Sequence, residues 1–432
     1  MQSAHPTLWP SASTPTQPSE RPTLELPKWG TTPPWHDKQS FGFADSHQPS
    51  QHIYFSFSSE GFGHSSRALA IAKQLQPHQY TFATYGQAKH RLEGLGFAVK
   101  EIPQELKLIG NAGGFDLGKT ILENQSLGFA FSQAVQHELE LMKQCRAGVV
   151  VVDGRMAALA AASLLELPCL VLTNQSAFYP FFHTELPWLQ WLGHSFDALM
   201  KMGFSVANEI LIPDFAPPYT VCLPNLTHHP KVKKQTRFIG PLVGFEADTL
   251  QPAERPHPHH PRVVASLGGH AYRQPLLEAL LQTASQLTEI EFLILTNLTP
   301  VHAVPANVTL VAGCNEGASY FKSADVVVTQ AGHSTAMELM CLGVPCVVVP
   351  DTKQIEQENN AQRLQELGMG IRLTYADLQQ QTLASTLQHL FANQCEPYRS
   401  HAQHYARLAK EAQASQQTAR LLLEYAHRLV AY

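Results

Sequence analysis

The chain has 432 residues, enough for two domains that each bury a core, and its 44% hydrophobic and 15% charged shares suit a globular protein sparing in charge. Lys and Arg number 30 against 35 Asp and Glu, a net charge of −5, which excludes nucleic-acid binding through bulk electrostatics. No run of about 18 apolar residues is free of charge, so no hydrophobic membrane-spanning helix is expected.

Residues 1–49 are rich in Pro, Ser, Thr and Gln around isolated Trp9, Trp29 and Trp35, a composition that predicts a disordered tail. No basic segment followed by an apolar core marks a secretory leader there. From residue 50 to 240 strands and helices alternate, predicting a first Rossmann-like domain. His52–Ser58 reads as its first strand, and Ser59-Glu60-Gly61-Phe62-Gly63-His64-Ser65-Ser66-Arg67 as the turn into a helix at Ala68–Leu75. That turn fails as a dinucleotide fingerprint, because Ser66 stands where a third glycine is needed. Tyr80–Tyr85 and Phe97–Ile102 read as further strands. The glycine-rich segment Leu106–Leu122 reads as a cleft loop.

Leu127–Cys145 is helical, with Phe129, Phe131, Val135 and Leu139 expected on its apolar face. Gly148 to Leu172 contains Asp153, Arg155 and Glu166, and divides into strand Val149–Val152, helix Met156–Leu165 and strand Cys169–Leu172. Asp153, followed by Gly154, ends the first of these strands, and Asn174-Gln175 closes the second. Thr184–Val206, with Trp188, Trp191, Phe196 and Phe204 at mixed spacing, reads as either core helices or an apolar acceptor surface.

Residues 241–261 form a proline- and histidine-rich linker. His257, His259 and His260 lack the Cys or carboxylate partners of a tetrahedral metal site, and no metal is expected. The second domain, 262–432, opens on strand Arg262–Leu267 and Gly268-Gly269-His270. Strands Phe292–Leu295 and Val308–Val311 follow, then Val326–Thr329, a β-branched run covered on both faces. Gly332-His333-Ser334-Thr335 turns from this strand into a helix carrying Glu338. Unpaired N–H groups at such a helix start suit a phosphate. Cys346–Pro350 is the next strand, and residues 351–360 put carboxylates and amides at its carboxyl end, the edge where open α/β sheets hold ligands. Phosphate on one loop and hydroxyl-binding groups on the next point to a nucleotide-sugar. The seven cysteines are odd in number and contain no C-x-x-C. Cys169, Cys341 and Cys346 lie in apolar segments, as reduced core thiols of a cytoplasmic protein would. Helices over Leu378–Phe391 and Pro397–Leu429 close the chain.

Two of these segments resemble glycosyltransferases of the GT-B fold, nearest to glycosyltransferase family 28. Gly332, Ser334, Thr335 and Glu338, followed by Glu356-Gln357-Glu358-Asn359-Asn360-Ala361, resemble its donor-binding signature. G-x-G-H-x-x-R, here Gly61 to Arg67, resembles its opening loop about 270 residues upstream. The fold this implies is α/β: two facing Rossmann-like domains with parallel sheets and an interdomain cleft, the last helix crossing back onto the first domain.

The activity the resemblance implies is inverting, metal-independent transfer of a sugar from a nucleotide-diphosphate donor, uridine-linked, to an acceptor hydroxyl. No cofactor is expected beyond that donor substrate. Gly332, His333, Ser334, Thr335, Gly268 and Gly269 would hold the diphosphate, Glu338 the ribose, Glu356 and Gln357 the sugar ring, and Val311–Gly313 the base. Such a reaction needs a base for the acceptor and stabilisation of the departing diphosphate. His64 and Asp153 both stand as candidates for that base, and Glu60 as a weaker one. Gly61, Gly63, Arg67, Asn174 and Gln175 would face the acceptor, with Arg67 also able to add charge to the diphosphate. Acceptors of the family are glycans, lipids or lipid-linked sugars, which implies peripheral contact with the inner face of the plasma membrane. Two alternatives remain open at this level: a sugar-nucleotide 2-epimerase of the same fold, and a non-catalytic sugar-nucleotide-binding protein.

Overall fold

In a computed structural model of the chain, two parallel sheets lie within one unit, Gln48–Tyr432. The structure describes residues 51–105, 110–111, 114–115, 127–178, 187–268, 270–313 and 317–428. The tail at 1–49, Gly269 and most of the glycine-rich segment 106–122 lie outside the described residues.

The first sheet is built from β1 (His52–Phe57), β2 (Tyr80–Thr84), β3 (Val99–Glu101), β4 (Ala147–Asp153), β5 (Cys169–Leu172), β6 (Glu209–Ile212) and β7 (Thr236–Phe238). Its order is β3-β2-β1-β4-β5-β6-β7, all parallel. Strand order therefore reverses between β1 and β4, and a crevice opens there at the strands' carboxyl ends. Helices α1 (Gly63–Ala72), α2 (Gly86–Gly94), α3 (Leu127–Gln144), α4 (Met156–Leu164), α5 (Pro187–Phe204) and α6 (Pro230–Gln235) complete this half. The helix expected at Ala68 starts at Gly63, so Gly63 and His64 already belong to the first turn of α1, with Phe62 just before it.

The inner face of α3 keeps Val135 and Leu139, which pack against the core, but not Phe129. Phe129 is 70% exposed, and the buried positions are Ala134, Glu138, Leu141 and Met142. A buried glutamate is tolerated because Tyr54 and Ser56 each donate a hydroxyl to it at 2.7 Å and Arg155 Nη2 lies 3.3 Å away. Residues 187–204 form one helix with two characters. Phe204 is buried and stacks with Phe178, while Trp191, Leu199 and Met202 are more than half exposed, as is Val206 just beyond.

The second sheet contains β8 (Arg262–Gly268), β9 (Glu291–Thr296), β10 (Val308–Val311), β11 (Val326–Thr329), β12 (Cys346–Val348) and β13 (Gly370–Arg372), in the order β10-β9-β8-β11-β12-β13. Its pairs are also parallel, and its reversal falls between β8 and β11. The covering helices are α7 (Gln274–Gln286), α8 (Ala318–Lys322), α9 (His333–Leu342), α10 (Ile355–Glu366), α11 (Tyr375–Gln379), α12 (Thr382–Ala392) and α13 (Tyr398–Ala412). The expected final helix breaks at Gln413, where φ is +44°, and α14 (Ala414–Arg428) follows. Its Ala419, Leu422 and Ala426 enter the first domain's core beside Ile53, Leu69 and Val149. Six cysteines are free among the described residues, five of them buried.

Candidate active site

Both topological reversals place a loop followed by a helix start in the cleft. In the first domain, Ser58 N–H bonds to Asp153 O at 2.9 Å and draws the ends of β1 and β4 together. This sets the α1 start beside Asp153. His64 Nδ1 lies 2.7 Å from Asp153 Oδ1. Arg67 donates Nε to Oδ2 at 2.9 Å and Nη2 to Oδ1 at 3.0 Å. The Asp153 and Arg67 side chains are 5% exposed, that of His64 22%. Burial alone would raise the Asp153 carboxyl, but Arg67 and His64 outweigh it and hold the group well below the usual carboxylate range.

His64 Nδ1 also lies 3.0 Å from Arg67 Nη2; in the tautomer that donates Nδ1–H to the ionised Asp153, the closer partner, Nε2 is left as an acceptor. Gly154 (φ +72°) lies against the same ring: a Cβ there would sit 3.2 Å from His64 Cε1 and from Ser58 Cβ. The two residues read separately as rival bases are thus one unit. Asp153 is enclosed with both oxygens taken, and His64 is its more accessible end. Glu60 accepts from Gln104 Nε2 at 2.8 Å, and burial raises its carboxyl against the pull of Gln104 and His64. Gly61, at φ +80°, has open space where a side chain would stand.

In the second domain, Ala331 adopts φ +61° and α9 begins at His333 with no side chain capping it. Its first N–H groups therefore remain available to an anion. The His333 ring is buried, with Nε2 3.1 Å from Asp214 Oδ2, so its main-chain N–H is what it adds to this helix start. Ser334 and Thr335 are half-buried, and Ser334 Oγ lies 3.5 Å from Arg67 Nη1 of the facing domain. A Cβ on Gly63 would fall on Ser334 Oγ, so glycine at that position permits the close approach of the two loops. Burial pushes Glu338 up to about 7, against the opposing charge of Arg91. Gly268 (φ +63°) ends β8, its carbonyl accepting from Thr296 Oγ1 at 3.0 Å.

The acid–amide segment behaves differently from a simple row of sugar ligands. Asn174 Nδ2 donates to Glu356 Oε1 at 2.9 Å, joining the two domains. Gln175 turns to its own loop, its Nε2 3.3 Å from Ala177 O. The Gln357 amide is engaged at both ends by Asp351, accepting from its N–H at 2.8 Å and donating to Oδ2 at 3.2 Å. Three residues with no assigned role prove central. Buried Asn360 donates to Ala331 O at 3.0 Å and accepts from Asn225 Nδ2 at 3.0 Å, while Asn359 Nδ2 donates to Asn225 Oδ1 at 2.7 Å. Asn359 and Asn360 stand in the quoted motif, which is the only sequence signal for them; Asn225 has none. Gln330, 6% exposed, leaves its Nε2 without a partner beside the turn into α9. Among the described residues, Asp214, Cys222 and His333 bring potential metal-ligand atoms together, but the Asp214 carboxylate already accepts from the N–H groups of Phe215, Val221 and Cys222.

Residues 268–418 match the glycosyltransferase family 28 C-terminal domain. A glycosyltransferase of Methanosarcina mazei is 34% identical over 325 residues, covering 73% of this chain and 84% of that one. This chain is a family 28 glycosyltransferase. The family 28 chain also aligns, at 26% identity over 153 residues, with a Sulfurihydrogenibium transferase that moves N-acetylglucosamine onto N-acetylmuramyl-(pentapeptide) pyrophosphoryl-undecaprenol; 34% of this chain and 44% of that one are covered. The fold is shared with the calicheamicin glycosyltransferase CalG4 at TM-score 0.64 and 17% identity, over 88% of this chain and 99% of that structure. Two facing α/β domains with parallel sheets, the GT-B architecture, are thus common to them.

Proposed function

We propose that this glycosyltransferase takes a uridine-diphosphate sugar as donor and transfers its sugar to an acceptor hydroxyl with inversion, His64 acting as general base. The observation that carries the reading is the junction of the two loops. The His64–Asp153–Arg67 cluster stands directly opposite the open start of α9, with Gly63 and Ser334 in close approach. In the proposed reaction the acceptor O–H proton passes to His64 Nε2 as the acceptor oxygen bonds to the anomeric carbon. The bond from that carbon to the diphosphate oxygen breaks, and the diphosphate leaves onto the N–H groups of residues 333–335 and the Ser334 hydroxyl. Asp153 steadies the imidazolium, and Arg67 lends charge near the leaving group. Glu338 would take the ribose hydroxyls and Glu356 the sugar. No step uses a metal or cofactor in this reading.

The test is calorimetric binding and diphosphate release with uridine-, guanosine- and thymidine-diphosphate sugars. Binding confined to uridine-linked donors, with the sugar unchanged when no acceptor is present, is the expected result. Conversion of the donor alone to a C2 epimer would replace transfer with epimerisation, and no binding at all would remove the donor assignment.

The proposal extends to peripheral contact with an anionic lipid surface, where a lipid or lipid-linked acceptor would reside. No described helix is long and apolar enough to cross a membrane. Trp191, Leu199, Met202 and Val206 are exposed along α5 and its end. Gln235 Nε2 bonds to Ala207 O at 2.6 Å, which brings the end of α6, with its exposed Lys231, Lys233 and Lys234, near the Val206 end of that row. Apolar side chains flanked by lysines suit an anionic bilayer. Vesicles of phosphatidylglycerol and phosphatidylcholine should sediment the wild type but not a variant carrying Glu at all three lysine positions. Equal sedimentation of both would reject this surface.

A further inference from the structure

The strand order of the second sheet puts β11, which delivers the phosphate turn, between β8 and β12. Two side chains cross over its end. Arg273, just beyond β8, donates Nε to both Asp351 oxygens at 3.0 and 3.1 Å, and its Nη2 also bonds to Oδ2. Its Nη1 donates to Leu267 O at 2.7 Å, fastening the same guanidinium to β8. Asp351, just beyond β12, is wholly buried and is also approached by the hydroxyls of Tyr272 at 3.5 Å and Tyr375 at 3.4 Å. Gln357 then ties the Asp351 main chain to the first turn of α10. Gln330 follows directly on β11, between the ends of β8 and β12. Its buried amide Nε2 has no partner, a donor that a ligand supplying an acceptor would satisfy.

We infer that Arg273 and Asp351 are positioning residues: their ion pair braces the loop after β8 against the loop after β12, and so sets the width of the pocket that receives the donor. The inference rests on the second domain being the donor site, as proposed above. A bidentate Arg–carboxylate pair fixes separation and angle together, which a lysine cannot do. Neither residue touches the donor in this account; they act through the walls that they hold.

The distinguishing test separates positioning from stability. Removing one partner, as in Asp351→Asn, leaves a buried charge unmatched and lowers Tm. The double variant Arg273→Met with Asp351→Leu replaces the pair by apolar groups and should recover most of that Tm. In calorimetry with uridine diphosphate-glucose and uridine diphosphate-N-acetylglucosamine, the double variant should still bind about tenfold more weakly than wild type, because the pocket walls are no longer held. Arg273→Lys should lie between the two. A double variant with recovered Tm and wild-type affinity would overturn the inference. If the wild type binds neither donor, the donor reading fails by itself, and hydrogen exchange of the ligand-free protein then decides. Faster exchange in residues 270–273 and 351–357 of the double variant supports the brace, and unchanged exchange rejects it.

Discussion

The two carboxyl edges facing each other across the cleft are built on the same topology and armed in opposite ways. The first domain's edge carries full charges that satisfy one another: Asp153 is held by Arg67 and His64, and one ring is left accessible. The second domain's edge carries main-chain N–H groups at the start of α9, with its hydroxyls half-buried and its helix uncapped. Proton transfer needs a group of defined tautomer, which a buried carboxylate supplies. An arriving diphosphate needs partial positive charge that costs little to leave empty, which a helix start supplies. In the proposed reaction one topology thus supplies a base on one side and an anion seat on the other, and the difference lies in a few residues after β1, β4 and β11.

The sharpest way to break this comparison is His64→Ala. It should lower turnover about a thousandfold while donor affinity stays within about threefold, because the anion seat is on the other domain. Equal loss of donor binding would mean that the first edge also holds the diphosphate. Asp153→Asn should lower turnover by about a hundredfold through loss of the tautomer, and should also cost stability by stranding Arg67.

The stability effect has a sign that can be checked. Asp153 has a folded pKa depressed below its unfolded value near 3.9, so its contribution is present above that pH and is lost as pH falls further. Asp153→Asn should therefore lower Tm at pH 7 and much less at the acid end. The smallest effect is at Glu338. Its carboxyl is raised to about 7 from an unfolded value near 4.3, so ionisation weakens the fold progressively between those values and most above 7. Glu338→Gln should raise Tm at pH 8, leave it nearly unchanged at pH 4, and weaken nucleotide binding. A flat Tm difference across pH would show that Glu338 is not under this strain.

Much of the fold was legible because parallel strands buried on both faces announce themselves as short apolar runs, as at Val149–Val152 and Val326–Thr329. The two cleft loops were legible through their resemblance to the family's opening loop and donor-binding signature, since glycine beside His, Ser or Thr is common in ordinary turns. Pairings across the fold were not. Nothing local states that His64 and Asp153, 89 positions apart, share a hydrogen bond, so they stood as rivals until β1 and β4 were seen side by side. The amide link of Asn225 to Asn360 spans 135 positions and joins the domains, beyond any periodic signal. In α3 the expected Val135 and Leu139 do face the core, but a hydrophobic stripe could not reveal buried Glu138, whose partners lie on another strand.

Helix α14 has a bearing on how the molecule is made. Its apolar side chains complete the core around β1, so the earliest strand waits for the last helix described. At ribosomal rates of about 5–20 residues per second, the roughly 360 positions between them correspond to some 20–70 s. During that interval the first sheet stands with one flank uncovered while the second domain is assembled. The half that carries His64 and Asp153 is thus begun first and finished last.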